Sequence, residues 1–460
     1  MNKRYLTFLV VVTLLAGSCM VGSKYTRPNI AVPEDFGLQS NTDSLPLVKW
    51  FELYKDTALQ SIIKTTLDNN KNLLLASNRI QQAQIQTEII RLNQYPSLGY
   101  QVQAGGGTAG ISALKVGSGL NSALFSTMGL LSWEVDIWGK LRRATAAAQQ
   151  QLLASQDNRD ALKVSLVAQA ASLYFFLRDL DNRLQIAEKT LQLRKESTQI
   201  ISERFEKGYI AELDKLQAIQ QEAIAASFVP NLKRQIAQTE NALNVLMGKT
   251  PGPVNRGTSL FDEVLPPEIP SGLPSQLLER RPDLKSAEHL LRAQFESIGI
   301  AQASLYPSFS LTGLLGFASP QVSSILTNGF VANGLGGLTG PLFHFGQNKK
   351  RVELVKQQTM EIQIQYEQAL LSALGDVNNA LVGSRTFKEE YEKRKEQVDA
   401  ARKALVLSNA RYDYGYTSFL EVLTQENSLF DAELLESQLY QQRLNSIVLL
   451  YQALGGGWNP

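Results

Sequence analysis

Residues 140–207 read KLRRATAAAQQQLLASQDNRDALKVSLVAQAASLYFFLRDLDNRLQIAEKTLQLRKESTQIISERFEK, with no glycine and no proline, while Gly139 and Gly208 bracket them. The two residues that most disfavour a helix interior are absent, so the stretch allows one unbroken α-helix. At about 1.5 Å per residue that helix would be roughly 100 Å long. An ordinary globular domain cannot bury such a rod, and helices of this length belong to coiled coils or other elongated assemblies. Leu173, Leu177, Leu180, Leu184, Ala187 and Leu191 step alternately by four and three, the spacing of a coiled-coil seam. Tyr174, Phe175 and Phe176 widen the apolar face, so the helix is expected to touch more than one neighbour.

Working outward, a returning helix is expected over 210–247, with Pro230 marking a kink or break. Pro251, Pro253, Pro266, Pro267, Pro270 and Pro274 then define a linker over 251–275, and helix resumes after Pro282. Upstream, helical patterning runs from Thr57 to Gln94 with a break at Asn69 and Asn70. At Leu98 the period changes to two: Leu98, Tyr100, Val102 and Ala104 alternate with Gly99, Gln101, Gln103 and Gly105. A Gly/Ser-rich loop to Asn121 leads to a second strand-like run, where Trp133, Val135 and Ile137 alternate with Glu134, Asp136 and Trp138. Taken alone, this hairpin fits a soluble sheet packed on a helix as well as a piece of membrane barrel.

The chain then repeats itself. Tyr95-Pro96-Ser97-Leu98 returns as Tyr306-Pro307-Ser308-Phe309; Trp138-Gly139-Lys140 returns as Phe345-Gly346-Gln347; Arg204-Phe205, Gly208-Tyr209 and Leu213 return as Arg411-Tyr412, Gly415-Tyr416 and Leu420. The second long run, 347–414, continues the seam through Leu370, Leu374, Val377 and Leu381. The expected organisation is a signal over 1–18, an extended arm over 19–56 and a first repeat over 57–250. That repeat holds a strand hairpin at about 98–138, the long helix and its return. After the linker a second repeat covers 276–454, with a hairpin at about 308–345 and a return helix over 417–454 that shows Tyr440, Leu444, Ile447, Tyr451 and Leu454, and a tail over 455–460.

The totals exclude several functions. A net charge of +2, from acids and bases spread along 460 residues, gives no nucleic-acid footprint. Cys19 is the only cysteine, so neither an internal disulfide nor a cysteine-rich metal site can form. It follows Lys3, Arg4, an apolar run from Tyr5 to Leu15, and the small residues Ala16, Gly17 and Ser18, which is the layout of an export signal. The run into a lone cysteine resembles a bacterial lipoprotein signal, with Ala16 where that family places leucine; the resemblance implies lipidation of Cys19. No later segment offers 18 consecutive apolar residues, so a membrane-embedded part must be a β-barrel. Met247-Gly248-Lys249-Thr250 mimics the end of a phosphate loop, but Leu243 stands where its first glycine is required and the segment follows a helix. His289 and His344, the only histidines, pair with no nucleophile or metal cluster in the pattern, and no catalytic, cofactor or metal residues are expected.

Two hairpins give four strands, too few to close a barrel, so strands in a membrane would require several copies of the chain. The motifs Leu131-Ser132-Trp133-Glu134-Val135-Asp136-Ile137-Trp138-Gly139-Lys140-Leu141-Arg142-Arg143, Leu278-Glu279-Arg280-Arg281-Pro282-Asp283-Leu284 with Ala287-Glu288, and Ile298-Gly299-Ile300-Ala301 carry a resemblance. They resemble the outer-membrane efflux proteins of the TolC superfamily, in the NodT or OprM-like lipoprotein branch, and Val21-Gly22, Tyr25 and Arg27-Pro28 resemble that branch's N-terminal signature. The resemblance spans the mature chain. It implies an α+β fold: a homotrimer in which each chain gives four strands to a 12-stranded transmembrane barrel, continued by a periplasmic α-helical barrel with a mixed equatorial region.

The implied function is the exit duct of a tripartite efflux pump, served by a periplasmic membrane-fusion adaptor and an inner-membrane transporter of the resistance-nodulation-division type. A protein-secretion duct and a pore-less periplasmic scaffold are the alternatives. The turns at Gly208 and Gly415, with Arg204, Asp214 and Arg411 beside them, would then be the periplasmic tips and the adaptor contact. Glycine suits a reversal requiring positive φ, and each arginine is placed to meet the helix-end carbonyls. Tyr412 and Glu421 are the expected gate elements, and a ring of carboxylates there would favour cations.

Overall fold

The computed structural model describes residues 20–22, 25–28, 51, 54–107, 122–263, 277–319, 322–341 and 343–456. The export signal, Cys19, most of the arm, the loop over 108–121, linker residues 264–276 and the last four residues lie outside the described residues. In chain order the principal elements are α1 (Thr57–Asn69), α2 (Lys71–Leu92), β1 (Ser97–Gly107), β2 (Ser122–Val135), α3 (Lys140–Glu206) and α4 (Glu212–Leu246), then α5 (Pro282–Ala303), β3 (Ser308–Ser319), β4 (Phe330–Thr339), α6 (Gln347–Asp413) and α7 (Phe419–Ala453). Short turns of helix occupy Leu260–Asp262, Leu277–Arg280 and Val322–Asn328.

Local chemistry explains the boundaries. Asn70 separates α1 from α2: its side-chain carbonyl accepts the N–H groups of Asn72 (2.9 Å) and Leu73 (3.2 Å), while its amide donates to the Leu246 carbonyl (2.8 Å) at the end of α4. One side chain thus starts one helix and stops another. β2 ends at Val135, short of the alternation expected through Trp138, because Asp136 serves α3 instead. Its carboxylate accepts the backbone N–H groups of Leu141 (3.2 Å) and Arg142 (2.9 Å), which the first turn of a helix leaves unpaired. Pro230 does not break α4, which passes through it unbroken. The residue is exposed, so water can meet the carbonyl that its missing N–H leaves free.

The chain forms two compact units, each assembled from separate stretches. The first takes Met1–Ile30, Arg79–Gln156 and Ser286–Glu367 and holds a four-stranded antiparallel sheet in the order β1-β2-β3-β4. Here the resembling motifs meet. Arg143 is buried, donates to Glu296 (2.6 Å) and to the Gly22 carbonyl (3.1 Å), and passes Gly299, where a Cβ would stand 2.3 Å from its side chain. The arm also binds through Arg27, which pairs with Glu288, and Tyr25, whose ring meets Phe295 edge-on at 5.8 Å.

The second unit takes Ala31–Asn78, Asp157–Lys285 and Gln368–Pro460. Its largest core packs Leu59, Ile63, Ala170, Ala171, Tyr174, Leu177, Leu243, Tyr440, Leu444 and Val448 from α1, α3, α4 and α7. Each fully buried leucine or valine contributes about 1.5–3 kcal/mol, and the alanines let helix axes approach closely. The seam turns inward at Leu177, Leu180 and Ala187, but Phe176 stays 37% exposed, so the widened face stops at Phe175. Asp56 is buried in this unit, where it caps α1 and also accepts from Tyr174.

Candidate functional site

The first site is the sheet. Because side chains alternate, the pairing register assigns every strand residue to one of two faces. Leu98 lies opposite Leu131, Leu131 opposite Gly313, and Gly313 opposite Gly334, so these share a face. Along that face run Leu98, Tyr100 and Val102, then Phe125, Trp133 and Val135, then Phe309, Leu311, Leu315 and Phe317, then Phe330 and Leu338. Leu98, Tyr100 and Val102 are 84%, 87% and 70% exposed. Thr127 and Ser319 carry the aliphatic hydroxyls on this otherwise apolar or small-residue face, which suits a lipid interior better than water.

The opposite face carries Gln101, Gln103, Ser126, Ser132, Ser310, Thr312, Asn333 and Thr339, interrupted by glycines and by Met128, Leu130, Leu314, Val331 and Leu335. Gly316 is required on it: a Cβ there would lie 2.2 Å from the Thr127 carbonyl oxygen of the neighbouring strand. On the lipid-compatible face, Gly336 lies under Phe309 and Leu311, with a Cβ position 3.4 Å from the leucine. At the strand ends the Trp138 ring stacks on Tyr306 at 4.8 Å and its indole donates to the Pro307 carbonyl (2.8 Å). Trp133 likewise donates to the Gln94 carbonyl (2.9 Å). Aromatic rings with one polar tip suit the boundary between lipid and water.

The second site is the pair of turns closing the helical hairpins. Gly208 and Gly415 adopt φ of +76° and +75°. In the first turn Gly208 N–H donates to the Phe205 carbonyl (2.8 Å) and Tyr209 N–H to Arg204 (3.0 Å); in the second, Gly415 donates to Tyr412 (2.9 Å) and Tyr416 to Arg411 (2.8 Å). Both are the same glycine-based C-cap. Backbone N–H groups, and not the arginine side chains, therefore satisfy these helix-end carbonyls, which corrects the expectation for Arg204 and Arg411.

The arginines reach sideways. The Arg204 guanidinium lies 5.6 Å from the centre of the Tyr412 ring, joining the first hairpin to the second, and that ring packs on Phe419 at 5.5 Å. Arg411 stands 3.8 Å from Glu421, whose other oxygen accepts from Thr417. Beneath them Ile201, Ala218, Phe419, Val422 and Leu423 form a small apolar cluster. Asp214 joins none of this and forms no ion pair among the described residues; it sits in the first turn of α4, where a carboxylate is favourable to the helix dipole. Thr424 donates to the Leu420 carbonyl of its own helix (2.8 Å).

The remaining sequence candidates resolve simply. Gly248 is a helix C-cap with φ +69°, its N–H and that of Lys249 meeting the Val245 and Asn244 carbonyls, so the phosphate-loop likeness has no structural counterpart. His289 contacts Gln150 through Nδ1 at 2.6 Å, and His344 is exposed. The contact of Arg204 with Tyr412 and the arm's grip on Arg143 were beyond sequence reading, because each joins residues more than a hundred positions apart.

A sheet with one apolar and one polar face, on a chain whose long helical hairpins end in matched glycine turns, defines an outer-membrane channel of α+β, TolC-like fold. The family model described as outer membrane efflux protein matches residues 62–249 and 273–456, and the chain belongs to that family. It is 29% identical to the cation efflux system protein CusC of Escherichia coli O157:H7, over 97% of each chain. It is 28% identical to the probable outer membrane lipoprotein SilC of Salmonella typhimurium, over the full length of both. Among solved structures, the outer-membrane channel OprN superposes with a TM-score of 0.89 at 28% identity, covering 96% of this chain and all of that one. The protein is accordingly an outer-membrane exit duct of the tripartite efflux kind, conducting small molecules.

Proposed function

We propose that three copies of the chain close their sheets into one 12-stranded barrel, with the polar face inward, and that the assembly receives cargo from a periplasmic membrane-fusion adaptor and an inner-membrane transporter of the resistance-nodulation-division type. The observation that carries this reading is the sheet itself. It has lipid-compatible residues on one face, polar residues on the other, and two outer strands, β1 and β4, each paired on one side only. Unpaired backbone groups cannot stand in hydrocarbon, and four strands cannot close on themselves. The probable lipoprotein status of SilC supports lipidation of Cys19. So does Met20, which packs against Gly139 beside the Trp138 ring, at the aromatic boundary.

The tips act as the gate. Tyr412 holds the second hairpin against the first through Arg204 and the apolar cluster below, while Glu421 braces the second turn through Arg411 and Thr417; the turns themselves are built on Gly208 and Gly415, and the exposed Tyr209, Leu213 and Tyr416 provide the adaptor contact. Asp214 adds charge to the entrance without joining the latch. The test is direct: the purified protein should run as a heat-sensitive trimer on gels and give single channels in planar bilayers. A monomer without conductance would remove the duct reading and favour a pore-less scaffold. Crosslinking in cells followed by purification should recover an adaptor and a transporter; recovery of a protein-export ATPase instead would favour the secretion duct.

A further inference from the structure

Charged residues make up 19% of the chain, yet they vanish from its membrane section. Across 97–133 and 308–346 Lys115 is the only Asp, Glu, Lys or Arg, and it lies in the loop outside the described residues. Lipid explains this for the apolar face alone. A barrel lumen filled with water carries no such restriction, because lumen-facing positions tolerate charge freely. Among the described residues the polar face, Glu134 apart, nevertheless offers amides, hydroxyls and glycine, together with scattered apolar side chains. Its single ionised member is Glu134, next to the end of β2, and Lys140 pairs with it at 3.3 Å.

We propose that the barrel section of this duct has no fixed-charge filter. Its cargo-facing wall is a neutral hydrogen-bonding surface, set by Gln101, Gln103, Ser132, Ser310, Thr312 and Asn333, and it suits organic cargo that is uncharged or of either sign. The inference rests on three copies closing the sheet with this face inward. Amide and hydroxyl groups both donate and accept, so they replace lost water around an anion, a cation or a neutral polar group alike. A ring of three like charges in a narrow, low-dielectric wall would instead focus a field of several kT and sort cargo by sign. The leucine, valine and methionine positions between the polar ones offer transient contact to the apolar parts of the same molecules. Any charge bias of the whole duct must then come from outside the barrel wall.

The test uses the full-length protein, purified and checked as a heat-sensitive trimer, then recorded in planar bilayers under a potassium chloride gradient. Loss of trimer and conductance in the wild type would count against the closed barrel itself, separately from its charge. In conducting trimers Gln101→Glu is expected to raise the potassium-to-chloride permeability ratio by about twofold or more, and Gln101→Lys to lower it by a similar factor. Glu134→Gln combined with Lys140→Gln, which removes both members of the pair and leaves the net charge unchanged, should leave the ratio within about 20% of wild type. Unchanged ratios for both Gln101 variants would overturn the proposal, as would a large shift for the Glu134→Gln, Lys140→Gln double variant. On the other face, Val102→Lys should fail to insert; a conducting Val102→Lys trimer with a shifted ratio would show that the faces are reversed.

Discussion

Glu263 is buried beside Asp56, and the two carboxyls are hydrogen-bonded to each other. Burial, then the bond to Asp56, pushes Glu263 up to about 7, against the help of Thr258 and Arg178. Burial also acts to raise Asp56, but hydrogen bonds from Tyr174, Glu263 and the Ala58 backbone hold it below its ordinary value. The signs differ. Between about pH 4.5 and 7 the folded chain keeps a proton on Glu263 that the unfolded chain loses, so the stability tied to Glu263 falls as pH rises through that window. Stability tied to Asp56 is present above its ordinary range and is lost only as pH falls through its lowered folded value. Thermal unfolding should therefore occur at a lower temperature near pH 8 than near pH 5.5, and Glu263→Gln, which keeps a donor toward Asp56, should flatten the slope. The gain at pH 8 is on the order of 1–3 kcal/mol; an unchanged slope would refute the assignment.

At the tips the residue-scale prediction concerns passage. Tyr412→Ala with Glu421→Ala removes the ring under Arg204 and the acceptor of Thr417, so bilayer conductance should rise and cells become leakier to large antibiotics. Gly415→Ala is the contrasting control. No atom lies within 4 Å of its Cβ position, so only the left-handed backbone resists, at about 1–2 kcal/mol. It should lower the unfolding temperature slightly without opening the channel.

The elements divide into those that propensity and period dictate and those that distant partners decide. Both long helices were legible, because the first has neither glycine nor proline, the second has no proline and only Gly375 and Gly383, and the terminal glycines act locally. So were the strand pairs and the break at Asn70. Pro230 misled because its effect depends on which way the freed carbonyl faces, and exposure is invisible in a sequence. β2 ended early because Asp136 prefers the open N–H groups of α3 to continued pairing. Two substitutions probe this scale. Asn70→Ala removes the cap of α2 and the partner of the Leu246 carbonyl and should cost about 1–3 kcal/mol, measurable by thermal unfolding. Gly316→Ala forces a Cβ onto the Thr127 carbonyl and should abolish trimers on unheated gels, whereas Gly334→Ala, with nothing within 4 Å, should not.

For the whole molecule, the repeat and the resembling motifs carried the family, while the arm's attachment emerged only in three dimensions. Val21 N–H donates to the Trp138 carbonyl (3.2 Å), and Arg143, Glu288 and Phe295 hold Gly22, Arg27 and Tyr25. This grip makes lipid and arm separable. Cys19→Ser should abolish incorporation of labelled palmitate while the chain is still exported, because the arm's remaining contacts are untouched.

The two outer strands of the sheet also bear on heredity. A lone chain exposes the free edges of β1 and β4 and has no folded membrane section to fall back on, so each copy depends on two others at the moment of insertion. A variant that still pairs but spoils the finished ring would poison every assembly it enters. With equal amounts of wild-type and variant chain, only about one assembly in eight would be free of it. Alleles of this gene that damage the strands should therefore behave as dominant, and those that prevent the chain from reaching the membrane as recessive.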